Sequence, residues 1–493
     1  MCGIIGIHAK GKPVAPELYD GLIHLQHRGQ DAAGMLISDG AFHLKKGAGF
    51  VREVFHDASV KKLKGDWGIG HTRYSTTGSA VSLKNAQPFC LEGKYSLAIN
   101  HNGNLTNYYR LYREMQEQGN EFETTSDVEV LCRVFAKVLE IHPEGGDFFE
   151  AVCKATEAVY EKSKGGYSVV GVIKGKGIFA FLDPHGIRPL VWGIRKDARG
   201  KTDYIFSSEG TMYHHLGFKF MGDVGNGEVF FVDQEGRLSR KVLRSEPLTP
   251  CVFEYVYFAR ADALLNDVSV YRARLRMGQN LARKWKKLYP AIKPDVVIPV
   301  PHSANTAALA LAGQLGVRYS EGFYKNPFVG RTFIMPTQET REKSIRRKLT
   351  PQEFEIRGKK VMVVDDSIVR GTTSREVVRL LREFGAKKVY FLVVCPPIKF
   401  PDFYGIDIPT RSELIAADKT EEQVQQYIEA DILMYQSIEG LVEAVTRKGN
   451  HKISRLSMPY LDGWYVTGDV TQESMLAVEK ARTKERAVSP IKV

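Results

Sequence analysis

Val361-Met362-Val363-Val364-Asp365-Asp366-Ser367-Ile368-Val369-Arg370-Gly371-Thr372-Thr373-Ser374 places three kinds of chemistry in a fixed order. Val361 to Val364 are four apolar residues, three of them β-branched, which suits a strand buried on both faces of a parallel sheet. Two adjacent carboxylates, Asp365 and Asp366, end that run. A small-residue turn follows, and Val377, Val378, Leu380 and Leu381 then form an amphipathic helical pattern. In an open parallel sheet ligands bind beyond the carboxyl ends of the strands, so both aspartates and the turn are expected to line a pocket. Backbone N–H groups of the turn Arg370 to Ser374, with three hydroxyls and the start of a helix, can surround a phosphate. The carboxylates would repel that phosphate but can accept hydrogen bonds from sugar hydroxyls a few ångströms away. A merely capped helix needs one acid and leaves the second, and Arg-Gly-Thr-Thr-Ser, unexplained. The stretch reads as a sugar-phosphate site, and it resembles the signature of type I phosphoribosyltransferases, which bind phosphoribosyl pyrophosphate (PRPP).

The other end of the chain begins Met1-Cys2-Gly3-Ile4-Ile5-Gly6-Ile7. Removal of Met1 would leave a nucleophile and a base on one residue, because a free α-amine titrates near roughly 7.7 to 8.0 and can take the thiol proton. Four stretches accompany it: Leu25 to Gly34 (LQHRGQDAAG), Gly70 to Thr76 (GHTRYST), His101 to Leu105 (HNGNL) and Thr124 to Asp127 (TTSD). Together they resemble N-terminal-nucleophile glutamine amidotransferases. The resemblance implies that Cys2 attacks the side-chain amide of glutamine, that Arg73 holds the substrate α-carboxylate and Asp127 its α-ammonium group, with Thr76 beside them, and that Asn102 and the Gly103 N–H stabilise the oxyanion. Taken singly, Asp127 could equally cap the helix that starts Val128-Glu129-Val130-Leu131, Asn-Gly could be a plain turn, and Arg73 a surface arginine.

A glutaminase half followed by the Val361 to Ser374 signature resembles the glutamine PRPP amidotransferase family. Asp183 to Leu190, Phe253 to Arg260, Gly330 to Pro336 and Tyr404 to Asp407 extend the likeness along most of the chain. The resemblance implies an α/β protein: a four-layer αββα domain over 2–248, a phosphoribosyltransferase domain with a central parallel sheet over 249–448, and an extension over 449–493 that frays at its end. Pro247 to Pro250 marks the first boundary. PRPP would be bound by Asp365, Asp366, Ser367, Arg370, Gly371, Thr372, Thr373 and Ser374, with Lys325, Arg331 and Lys348 from a basic segment. That segment, Lys325 to Lys348, has seven Lys or Arg against two Glu, and could instead be a solvated helix. The segment Val296 to Asn305 resembles the pyrophosphate loop, with Ser303, Asp365 and Asp366 near Mg²⁺. His302, Ala304, Pro327 and Phe328 depart from the residues expected there. Glutamine and PRPP are the implied partners, purine nucleotides the implied feedback inhibitors, and a homo-oligomer the implied assembly.

Composition is consistent and less specific. With 493 residues, two or more domains are expected. No run of about 18 apolar residues and no basic-then-apolar leader is present, so a membrane span or secretory signal is not expected, and the protein is expected to be cytoplasmic. Six cysteines, at 2, 90, 132, 153, 251 and 395, form no C-x-x-C pair, as suits a reducing compartment. Some members of the family carry an iron–sulfur cluster on four cysteines. Cys251 lies near one such place, but Asp402 stands where a second would be wanted, so no cluster is expected. The net charge of +12 allows a nucleic-acid footprint or an attraction for anionic substrates, and the second is expected. Two alternatives stay open: a PRPP-sensing regulator, and a phosphoribosyltransferase with a silent glutaminase half.

Overall fold

The computed structural model describes residues 1–74, 83–143, 146–198, 200–326, 345–408, 410–447, 452–471, 473 and 475–476. The first half holds two antiparallel sheets. One has seven strands in the spatial order Lys219–Asp223, Val191–Lys196, Thr202–Ser207, Gly3–His8, Trp67–Arg73, Ala32–Ser38 and Phe42–Ala48. The other has six, in the order Leu238–Val242, Glu228–Asp233, Gly177–Leu182, Gly165–Ile173, Leu97–Leu105 and Phe89–Leu91. Side chains alternate across a strand, and both faces here are covered. Ile4, Ile69, Val170, Val172, Ile178 and Phe230 pack together between the sheets. Ile5 and Ile7 point the other way, onto Leu18 and Leu22 of the helix Ala15–His24. Beyond the second sheet lie the helices Asp127–Glu140 and Phe148–Lys162, whose Val130, Leu131, Phe135 and Val159 meet Val169, Phe179 and Phe181. Helix, sheet, sheet, helix is the four-layer αββα order expected.

The second half is built on five parallel strands, Arg318–Tyr319, Val296–Pro299, Lys360–Asp365, Lys388–Val393 and Ile432–Tyr435, in that spatial order. Val361 to Val364 are fully buried, and the alternation explains why no polar residue interrupts them. Met362 and Val364 face the helices Val270–Leu288 and Asn305–Leu315, while Val361 and Val363 face Thr372–Glu383 and Glu421–Ile428. One difference from the sequence reading concerns the turn after the acids. Gly371, at φ +77°, already caps the helix, so Thr372, Thr373 and Ser374 form its first turn. A positive φ at that cap suits glycine, and a Cβ there would come within 2.6 Å of Ile415.

The halves are not separate bodies. One continuous apolar cluster runs from Ile5 and Leu22 through Val252, Phe253 and Trp285 to Tyr460 and Tyr465. Residues 452–471 sew the halves together: Val252 N donates to Ser457 O at 3.0 Å, Lys399 N to Tyr460 O at 2.8 Å, and Thr106 Oγ1 to Asp469 Oδ2 at 2.6 Å. The expected fraying at the chain end falls outside the described residues. Among the described residues no helix is long and apolar enough to cross a membrane.

Candidate active site

Cys2 stands immediately before the strand Gly3–His8, whose pairing of Gly3 with Thr72 brings Arg73 to the same sheet end. Its backbone is held twice: the N–H donates to Asn102 Oδ1 at 3.0 Å, and the carbonyl accepts from Arg28 Nε at 3.1 Å. The Sγ lies 3.5 Å from both the N and the O of Tyr74. Burial pushes the thiol up, while the amino terminus and Arg73 pull it back toward ionisation.

Around it the predicted companions converge. Arg73 is buried and faces Cys2, Asp31 and Asp127, and desolvation draws its guanidinium down. Asp127 is the first residue of its helix, with Ser126 at the cap, and its Oδ2 reaches across to accept from Leu105 N at 3.0 Å. That contact ties the carboxylate to the strand bearing Asn102 and Gly103, which simple helix capping would not do. Asn102 is fully buried; with Oδ1 engaged by Cys2, its Nδ2 finds no hydrogen-bond partner among the described residues. A buried donor beside the nucleophile is what a developing oxyanion requires. Gly103 has φ +147°, and a Cβ there would lie 2.0 Å from Gly166 O, so the strand passes this point only as glycine. Thr76 lies outside the described residues.

In the second half the acid pair sits at the end of its strand, Asp365 buried and Asp366 half-buried. Asp366 N donates to Asp365 Oδ1 at 2.9 Å, Ser367 Oγ to Asp366 Oδ1 at 2.6 Å, and Ser303 Oγ to Asp366 Oδ2. Desolvation pushes both carboxyls up, and for Asp365 the charge of Asp366 adds to it. Lys325 and Arg274 lie within electrostatic reach of Asp366, and Lys325 and Lys348 within reach of His302. The structure thus brings Ser303 into contact with the acid pair and places Lys325 and Lys348 within electrostatic reach of this neighbourhood. Arg370 is placed less directly, since its Nε donates to Glu413 at 3.0 Å. Arg331 lies outside the described residues, as do Pro327 and Phe328. Arg346, part of the same basic segment, is taken up by Glu376 and Glu383 of the helix Thr372–Glu383.

Two carboxylates and a hydroxyl can hold a cation together with substrate oxygens. Among the described residues no group of three or more His, Cys, Asp or Glu side chains could hold one alone. The surroundings of Cys251 do not fit a four-cysteine cluster. Its Sγ lies 3.8 Å from Tyr460 Oη, its neighbour across an isolated bridge is Ser457, and Asp402 is bound by the N–H groups of Tyr404 and Ile406 at 2.9 and 2.8 Å. Cys395 lies within electrostatic reach of it. A surface cavity of about 640 Å³, bordered by Lys12, Lys61, Lys64 and Trp67, contains none of the predicted residues.

The sequence reading missed three contributors. Arg28 sits inside a quoted motif, but an arginine in a Gly- and Gln-rich turn carries no mark of complete burial. Arg274, on the helix Val270–Leu288, reads as one more charge on a basic helix. Gly405 belongs to a noted stretch; its role is steric, because it packs its backbone on that of Gly103 from the other half, and Asn104 Nδ2 donates to Phe403 O at 2.9 Å beside it.

Comparison with known proteins agrees with this geometry. A glutamine amidotransferase domain model matches residues 71–213 and a phosphoribosyl transferase domain model matches 268–402. The amidophosphoribosyltransferase of Pseudomonas aeruginosa is 45% identical, with all of this chain and 99% of that one covered. That of Escherichia coli is 44% identical over 96% of this chain and 94% of its own. The chain belongs to the amidophosphoribosyltransferase family. It is thereby a glutamine-dependent transferase of purine biosynthesis. Among solved structures, the glutamine PRPP amidotransferase of B. subtilis in complex with ADP and GMP superposes with a TM-score of 0.83 at 35% identity, covering 96% of this chain and 98% of that one.

The contact between the halves gives a test. Gly405 has φ +103°, and a Cβ would come within 2.7 Å of the Gly103 backbone, so Gly405→Ala strains this junction by roughly 1–3 kcal/mol. Glutamine-driven turnover should fall about tenfold or more, with ammonia-driven turnover of the same preparation less affected, measured as pyrophosphate release.

Proposed function

We propose that the two sites act in series. In the first, the Cys2 thiol attacks the side-chain carbonyl of glutamine, and its proton passes to the α-amine of Cys2 once Met1 is removed. The tetrahedral oxyanion is met by Asn102 Nδ2 and Gly103 N–H, ammonia leaves with that proton, and water hydrolyses the thioester to release glutamate. Arg73 and Asp127 hold the two ends of the amino acid, and Thr76 is assigned to the same substrate. Ammonia passes internally to C1 of PRPP, the bond to pyrophosphate breaks, and 5-phosphoribosylamine forms. The observation that supports this reading best is the conjunction at Cys2: a doubly anchored nucleophile, an orphan amide donor and a facing Arg73 with Asp127.

At the second site Asp365 and Asp366 accept from the ribose hydroxyls. The first turn of the helix after Gly371, with Ser367 and the hydroxyls of Thr372, Thr373 and Ser374, holds the 5′-phosphate. Lys325 and Lys348 draw in the diphosphate, with Arg331 and Arg370 assigned to the same substrate. Asp365, Asp366 and Ser303 would hold Mg²⁺, which offsets the diphosphate charge and orients the leaving group when bound. The domain limits 2–248, 249–448 and 449–493 belong to the same reading, with purine nucleotides as inhibitors, a homo-oligomer as the assembly and the cytoplasm as the location.

Separate sites predict separable losses. Cys2→Ala should remove glutamine-driven turnover by roughly 10³-fold or more yet keep PRPP consumption at high ammonia, read by coupled glutamate and pyrophosphate assays. Asp366→Asn should depress both routes by roughly 10- to 100-fold, because both use the same bound ribose. Retention of ammonia-driven turnover in the second variant would remove the acid pair from the mechanism. The raised carboxyls also set a pH dependence: the free pair keeps a proton above the ordinary carboxylate range and must shed it to take up a cation. Mg²⁺-dependent PRPP binding should therefore strengthen as pH rises above the ordinary carboxylate range, with proton release detectable by calorimetry in buffers of different ionisation enthalpy.

A further inference from the structure

The cavity of about 640 Å³ bordered by Lys12, Lys61, Lys64 and Trp67 lies at the end of the sheet sandwich away from the nucleophile. The strand Gly3–His8 starts beside Cys2, and its antiparallel neighbour pairs Thr72 with Gly3 at that end and Trp67 with His8 at the other. Six residues of strand separate the two ends by roughly 20 Å, so the cavity is distinct from Cys2 and its companions. Its size is that of a small-molecule pocket.

Three features decide what it fits. The first is an apolar wall to which the buried Val60, Leu63 and Trp67 contribute. The second is positive charge. Lys61 and Lys64 are exposed, and their ammonium groups have no hydrogen-bond or ion-pair partner among the described residues. Ala15 and Pro16 bring the start of the helix Ala15–His24 to the same cavity; no side chain caps that first turn, and its one acid, Glu17, is taken by Arg195 Nη1 at 2.8 Å. The partial positive charge of the helix start is therefore left open. Of the acids on the rim, Asp39 already accepts from Ala41 N and His43 Nε2, and Asp66 from Gly11 N. The third is Trp67, more than nine-tenths buried, whose indole Nε1 has no acceptor among the described residues. A buried donor without a partner calls for one. The ring rests against His8 at 5.3 Å, and burial pushes that imidazole down toward its neutral form, so no charge stands behind the wall.

We propose that this cavity binds a small organic anion with a planar apolar body, an aryl phosphate or aryl carboxylate. The charged group lies at Lys61, Lys64 and the helix start, the body lies against Leu63 and Trp67, and one oxygen accepts from Trp67 Nε1. A bare inorganic anion would leave the apolar wall unused, and a neutral ring would leave the two lysines and the helix start unused.

The test titrates the full chain with phenyl phosphate by isothermal titration calorimetry, with ribose 5-phosphate saturating so that the sugar-phosphate site is occupied. One phenyl phosphate should bind per chain. Inorganic phosphate and benzyl alcohol, which each carry half of the chemistry, should bind at least fivefold more weakly. The double variant Lys61→Gln/Lys64→Gln, which changes only exposed side chains, should weaken phenyl phosphate about tenfold or more. Trp67→Phe, which keeps a ring and removes the N–H, should weaken it about fivefold. Loss of all phenyl phosphate binding when ribose 5-phosphate is present, an affinity in the lysine variant within twofold of the parent, or inorganic phosphate binding as tightly as phenyl phosphate would each overturn the proposal. Should Trp67→Phe fail to fold, the lysine variant decides alone.

Discussion

A charge taken out of water must be compensated where it lies, and the centre of this molecule is arranged around that requirement. Arg28 carries a full positive charge with no solvent contact, and two carboxylates and a peptide carbonyl close around it. One of those acids comes from the sheet sandwich and the other from the turn that begins the second half. The ion cluster therefore can form only when both halves are in place, which makes the junction specific in a way that apolar packing between Val252, Phe253 and the neighbouring strands would not be by itself. Close backbone packing of Gly405 on Gly103 serves the same junction by shape.

The two sites meet the cost of buried polarity differently. Around Cys2 the groups are already set: its backbone is held at both ends, Asp127 is bound to Leu105, and the buried Nδ2 of Asn102 has no partner among the described residues. Such a site needs little reorganisation once its substrate arrives. At the end of the strand Lys360–Asp365 the balance is incomplete, since a buried carboxyl and a half-buried one stand side by side and are both pushed up. Lys325, Lys348 and Ser303 stand around them, but the charge is matched fully only by what binds. The groups around Cys2 are fixed by one another, whereas the charge at the acid pair is left only partly balanced.

Much of this was legible in the linear order of residues. An uninterrupted apolar run ending in paired acids, then a glycine before a helical pattern, specifies a strand buried on both faces, a pocket at its carboxyl end and an anion-binding helix start, because each follows from local periodicity and turn chemistry. Cys2, Asn102, Gly103 and Asp127 were legible as a group because reactive chemistry needs those side-chain types together. Arg28, Glu254 and Arg274 were not, since burial of a charged residue depends on partners hundreds of residues away: Arg28 and Glu254 are 226 positions apart. The ion pairs of Arg346 were not legible for the same reason, as sequence shows its charge but not the two glutamates of the following helix that take it up.

The sequence by itself determined the fold class and the two chemistries, because strand and helix periods, turn glycines and reactive residue types are local properties. Tertiary structure alone decided how the two chemistries are joined: which arginine is buried, which glycine backbones meet, and which lysines face the acid pair. Those outcomes depend on solvent exclusion and on distances between remote segments, and neither quantity exists until the chain has closed around them.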